Sequence, residues 1–257
     1  MAPTPADFDR EFAAVAKSAT YSRLAREASG VDFPEGADPF SFTTRSELDL
    51  IAELLEIGTD LTLVDIACGQ GGPGLWVARS AGAHLIGVDF SAVGVAQAEN
   101  RAAAMGLANH ARFLVADAAA TGLPSGHADA AMSIDALQFM PDKAAVLAEV
   151  RRILRTNARF ALTTWEPAKS EPGAPENPNN RPLRTLLEGA GFNVERYEAT
   201  PAWRRFAKEL YEGWLREKEP LVAEIGAEGY APLEKEATEL LPKIDDAERV
   251  LIVSRAI

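Results

Sequence analysis

The stretch Val64–Gly74, VDIACGQGGPG, decides how the rest of the chain is read. It follows an apolar run and holds four glycines within the six positions 69–74. Glycine tolerates positive φ and lets a ligand approach the backbone closely. A loop of this composition between a buried strand and a helix N-terminus suits a polar or charged cofactor.

On either side of the loop, strand and helix patterns alternate. Apolar strand segments are expected at 61–67, 83–90, 111–117, 128–135 and 158–166, with helices at 73–82, 91–106 and 141–155. Pro73 and Pro141 suit the first turn of a helix, Ser91 an N-cap and Gly106 a terminator. This alternation predicts a parallel sheet covered on both faces. WEPAKSEPGAPENPNN (165–180) reads as a proline-rich loop, followed by a short helix at 181–191 and strands at 192–199 and 248–257. About fifty residues between these last strands, rich in Glu, Lys and Leu, read as helices. Residues 1–57 read as helices around a GVDFPEGADPFSF loop. The expected architecture is therefore an α/β, Rossmann-like seven-stranded sheet with helices on both faces. Residues 1–57 form a helical lid, 58–199 and 243–257 the cofactor-binding core, and 200–242 a helical cap insertion.

The 257 residues are 47% apolar and carry a net charge of −12. That charge argues against a nucleic-acid substrate, which needs a basic face. RRILR at 151–155 suits the cation-favouring last turn of a helix, and WRR at 203–205 is the other basic cluster. No apolar run is long enough to span a bilayer, so no membrane partner is expected. The first twenty residues carry acids and lack the basic and apolar regions of a signal peptide. One cysteine, Cys68, points to a reducing cytoplasm and excludes an internal disulfide; with three histidines it offers no expected metal site. Oligomeric state is not legible.

Two cofactors compete for the loop. GQGGPG matches the dinucleotide fingerprint, with Asp89 twenty residues after Gly69 to take a ribose diol, which by itself fits NAD and an oxidoreductase. Asp65 opposes that reading, because a carboxylate before the turn suits a cationic cofactor and repels a pyrophosphate. Asp117, ending the third strand, can accept from an exocyclic amine.

DIACGQG (65–71), GVDFS (87–91) and ADAAATGLP (116–124), followed by SIDALQFM and the strand ending TTWE, resemble the motifs of the class I S-adenosylmethionine-dependent methyltransferases. The resemblance runs from about 45 to 165 and less sharply beyond. Ala67 stands where that family's first motif has its first glycine. The turn before the fifth strand is RTNAR rather than the family's Pro-Gly-Gly type, with Asn157 able to adopt αL. The resemblance implies S-adenosyl-L-methionine as cofactor, S-adenosyl-L-homocysteine as product, and methyl transfer to O, N or C of a fairly apolar small molecule, with a role in secondary metabolism. It implies that Ala67, Cys68, Gly69 and Gly71 line the methionine moiety and that Asp65 acts near its amino group. Asp89 takes the ribose hydroxyls and Phe90 packs on adenine. Asp117 and the Ala118 N–H bond adenine's polar edge, and Ile134 lines the methyl-transfer end. Members of this fold that bind the cofactor without methylating remain an alternative.

The acceptor side is expected beyond the C-terminal ends of the fourth and fifth strands. Asp135, Gln138 and Glu166 are the candidate catalytic residues there, although Asp135 can equally cap a helix and Glu166 be solvated. Tyr21, Phe42, Trp165 and Trp203 are candidate substrate-binding residues, with Phe40, Ser41 and Thr43 beside them in the lid. Trp203, Phe206, Leu210 and Trp214 recur at helical spacing, which also fits simple cap packing. His84 begins a strand, and His110 and His127 precede strands, all expected on the far side from the cofactor, which leaves proximity or a carboxylate base. SFTTRSEL reads as a helix start with Thr44 and Glu47 as a capping box.

Overall fold

The computed structural model describes residues 3–38, 40–167, 183–200 and 202–257. The proline-rich loop falls almost wholly outside the described residues. Three helices come first: α1 (Pro5–Val15), α2 (Ala19–Ser29) and α3 (Arg45–Leu55). The core follows as β1 (Thr62–Ile66), α4 (Gly72–Ala81), β2 (His84–Asp89), α5 (Ala92–Ala104), β3 (Ala111–Val115), β4 (Ala128–Ile134), α6 (Lys143–Ile153) and β5 (Leu154–Pro167). Then come α7 (Leu183–Gly189), β6 (Phe192–Ala199), α8 (Trp203–Arg216), α9 (Lys218–Leu240) and β7 (Ala247–Ala256).

The sheet has seven strands in the order β3-β2-β1-β4-β5-β7-β6, with β7 antiparallel to both neighbours. The expected Rossmann-like sheet with helices on both faces is what forms. Strand alternation divides the core. Val64, Ile66, Ile86 and Val88 face α6 and α7, where Leu147, Val150 and Leu187 are buried. Leu63 and Leu85 face α3, α4 and α5, against Ile51, Leu75 and Ala98. A third cluster unites α2 with α8 and α9 through Leu24, Phe206, Leu210, Trp214 and Tyr230. The helices flanking the core in sequence thus pack on one another. Glu224 of α9 ties them further, accepting from Ser18 Oγ (2.5 Å), Thr20 N (3.1 Å) and Thr20 Oγ1 (2.8 Å) at the start of α2.

Local signals held at several ends. Ser91 Oγ accepts from Gly94 N at 2.9 Å, and Gly71, at φ 75°, caps α4 just before Pro73. Three expectations need correction. The helix expected to run to residue 155 stops at Ile153, because Leu154 already pairs with Ala128 in the sheet. Asn157, at φ 70°, is therefore a bulge inside β5 rather than a turn ahead of it. The capping box is only half formed: Thr44 Oγ1 accepts from Glu47 N at 3.3 Å, but the Glu47 carboxylate is drawn away to Arg249.

Candidate active site

All parallel strands end along one edge, and there a cavity of about 1090 Å³ opens beneath α1, α2, α8 and α9. That exceeds the roughly 300–1,000 Å³ of single small-ligand sites, so two molecules can share it. Its walls are largely apolar, yet among the described residues eight carboxylate side chains line it against one basic residue, Lys243. Such a field disfavours a pyrophosphate and favours a cation.

At the glycine loop, Ala67, Gly69 and Gly71 all take positive φ, at 56°, 51° and 75°. Gly71 is irreplaceable on space as well, since an added Cβ would lie 2.7 Å from that of Ala98. Asp89, at the end of β2, closes the loop: its Oδ2 accepts from Gly69 N at 2.7 Å and its Oδ1 from Ser91 N at 2.8 Å. Each oxygen keeps a second lone pair for a hydroxyl. Burial raises the Asp89 carboxyl above its ordinary value, against the backbone N–H groups of Ser91 and Gly69.

Asp65 is the most exposed to physical argument. It is only 2% exposed, lines the cavity, and has no cationic partner among the described residues. Burial foremost, then the charge of Asp89, pushes its carboxyl well above the usual range, while the Gly74 N–H opposes them. Gly74 is small for this reason, as a Cβ there would stand 2.5 Å from Asp65 Oδ2. A buried carboxylate with no countercharge is costly unless a ligand supplies one.

Phe90 packs on Phe8 of α1, with ring centroids 5.5 Å apart. Asp9 fastens that helix over the site, accepting from Ser91 Oγ (2.5 Å) and Val93 N (3.2 Å). Asp117 turns one oxygen to Ala119 N at 2.7 Å; it and Ala118 line the cavity, as does Ile134. Cys68 is buried, and burial pushes its thiol far from ionisation, so it acts as a small apolar filler.

At the opposite end, Asp135 caps no helix. Its Oδ1 accepts from Arg249 Nε (2.7 Å) and Thr163 Oγ1 (2.9 Å), and its Oδ2 from Phe42 N (3.2 Å). Arg249, 1% exposed, also donates to both oxygens of Glu47 at 2.7 and 2.8 Å. This buried triad welds α3, β4 and β7 together under the cavity floor. Gln138 donates to Asp135 O at 2.5 Å and accepts from Thr164 Oγ1 at 3.0 Å. Trp165 meets Trp203 edge-on at 4.2 Å and Phe42 at 5.6 Å, while Tyr21 stacks on Trp214 at 5.7 Å; all five line the cavity. Glu166 is not among the lining residues, and its carboxylate meets the Tyr197 hydroxyl on β6. His84 and His110 stack at the strand starts, 5.2 Å apart, on the edge away from the cavity.

Sequence reasoning missed Arg249, Glu47, Glu11, Glu236 and Tyr211. Arg249, near the start of the apolar strand at 248–257, was the one available signal. The others lie on separate helices that only the fold brings together.

Residues 63–157 match the model of a methyltransferase domain family. The tocopherol O-methyltransferase of Arabidopsis thaliana chloroplasts is 37% identical over 103 residues, covering 40% of this chain and 30% of that one. The chain thus spans less than a third of that relative's length. Among solved structures, the cyclopropane synthase MmaA2 from Mycobacterium tuberculosis superposes with a TM-score of 0.76 at 18% identity, covering 99% of each chain. The [4+2]-cyclase SpnF gives 0.71 at 24% identity, over 81% of this chain and 79% of that one. The fold is therefore shared by proteins named for different reactions. Among the described residues no helix is long and apolar enough to cross a membrane.

Proposed function

We propose that this chain binds S-adenosyl-L-methionine and transfers its methyl group to the O, N or C of a fairly apolar small molecule, in secondary metabolism. The observation that carries the proposal is Asp65, a buried carboxylate without a countercharge at the mouth of the glycine loop. It suits the ammonium of the cofactor's methionine moiety and repels a diphosphate, so NAD is the poorer fit.

In this reading Asp65 holds the amino group, and Asp89 takes the ribose hydroxyls with its spare lone pairs. Phe90 packs on adenine, and Asp117 with the Ala118 N–H meets its polar edge. Ala67, Cys68, Gly69 and Gly71 admit the methionine moiety, and Ile134 borders the transfer end. When bound, the cofactor supplies a methyl already activated by its sulfonium. The protein's task is then to exclude water and align an acceptor. We assign Asp135 and Gln138 to positioning, since their polar atoms already hold the floor together, and Trp165, Trp203, Phe42 and Tyr21 to the apolar acceptor wall. Glu166 has no part in this assignment. Residues 1–57 and 200–242 act as lid and cap over the core, and the single cysteine suits a cytoplasmic setting.

Calorimetric titration with S-adenosylmethionine, S-adenosylhomocysteine and NAD tests the proposal, with Asp65→Asn and Asp89→Ala alongside. Micromolar binding of the two adenosyl compounds, weakened in both variants, is the expected result. Binding of NAD alone would overturn it.

A further inference from the structure

Beyond the cofactor end, the cavity holds a second set of uncompensated acids. Glu11 of α1 and Glu236 of α9 both line it, and neither has a basic partner within salt-bridge reach among the described residues. Arg10, next to Glu11 in the chain, pairs instead with Asp7. Glu236 Oε1 accepts from the Tyr211 hydroxyl at 2.8 Å, which fixes its carboxyl but leaves it without a cation. Burial pushes Glu11 up to about 7, helped by the charges of Glu236 and Asp7 and opposed by Arg10. Burial likewise raises Glu236, against the Tyr211 hydrogen bond.

Two aromatic side chains line the cavity with these acids. Tyr21 lies close enough to Glu236 and Glu11 to feel both charges. Trp214 is 3% exposed, lines the same cavity and stacks on Tyr21, and its indole N–H has no partner among the described residues. Aromatic faces beside carboxylates in a water-poor cavity are the surroundings that stabilise an organic ammonium. A neutral or anionic ligand would leave two mutually repelling acids unrelieved.

We propose that Glu11, Glu236, Tyr21, Tyr211 and Trp214 form a recognition site for an organic ammonium group on the acceptor, so that the acceptor is an apolar molecule held by a cationic nitrogen that is not itself the methylated atom. The word acceptor rests on the methyl-transfer reading; the ammonium site itself does not.

The test uses the full chain and three probes of matched apolar body: 4-phenylbutyltrimethylammonium, 4-phenylbutanol and 4-phenylbutyrate. Binding is read by tryptophan fluorescence, with and without saturating S-adenosylhomocysteine to keep the cation from Asp65. The cation is expected to bind about tenfold tighter than the alcohol, and the carboxylate weakest. Glu236→Gln and Glu11→Gln should each erase most of that advantage while binding of the alcohol stays unchanged, which also shows that the variants fold. Equal affinity for cation and alcohol, or a cation preference that survives both substitutions, would overturn the site. So would a preference lost on Asp65→Asn alone. Adenosyl-compound binding, measured separately by calorimetry, distinguishes failure of this site from failure of the methyl-transfer reading.

Discussion

Replacing Arg249 with methionine is the sharpest test of how the cavity floor is held. The guanidinium is fully enclosed, and its neighbours Asp135 and Glu47 have side chains only 5% and 11% exposed. Four donor contacts vanish at once: two to Glu47, one to Asp135, and one to Thr200 Oγ1 at 3.0 Å. Methionine restores most of the volume, so the loss is chiefly electrostatic. Removing one partner from a buried ion network costs about 3–5 kcal/mol, because the remaining charges stay desolvated. In a domain of this size that lowers the melting temperature by about 6–20 °C. Urea unfolding measures the loss directly, with an unchanged slope showing that the same surface is exposed. The companion variant Arg249→Met/Glu47→Gln/Asp135→Asn removes the stranded charges too, and should recover at least about 2 kcal/mol. A single-variant loss below about 1 kcal/mol would mean that the carboxylates find other partners. A triple variant no more stable than the single one would assign the loss to packing. Either result refutes the reasoning.

Three other expectations follow from the same geometry. Ala67→Gly relieves an alanine held at φ 56°, which should stabilise the fold by up to about 1 kcal/mol after the extra freedom of unfolded glycine is set against it; a destabilised variant in thermal melts would contradict this. Gly71→Ala combines positive φ with a Cβ 2.7 Å from Ala98 Cβ, and should cost about 2–5 kcal/mol in denaturant unfolding, where a neutral result would show that α5 yields. Glu11 titrates at about 7 when folded against an ordinary 4.5, so the folded chain holds that proton more tightly and stability falls as pH rises through this window. Partial exposure reduces the effect to about 1–2 kcal/mol, and Glu11→Gln should flatten this part of a melting-temperature profile; an unaltered slope would remove Glu11 as its source.

The sequence alone determined the sheet and the acidic end of the cavity beside the glycine loop. Strand periodicity, glycine spacing and the carboxylates at strand ends are local properties. In a parallel sheet every strand end lies at the same edge, so Asp65, Asp89 and Asp117 meet there whatever else the chain does. Tertiary structure decided the rest. Asp135 looked free to act as a base or a cap, and became the anchor of an arginine 114 positions away. Glu47 left its capping box for that same arginine, because a charged guanidinium is a stronger partner for a carboxylate than a neutral backbone N–H. Glu166 sits at the expected strand end, but the pleat turns it to Tyr197 rather than the cavity. Glu11 and Glu236 are unremarkable on their own helices and acquire meaning only when α1 and α9 close over one space. Local patterns encode which backbone forms; the pairing of distant charges is set by burial, which no single stretch of sequence contains.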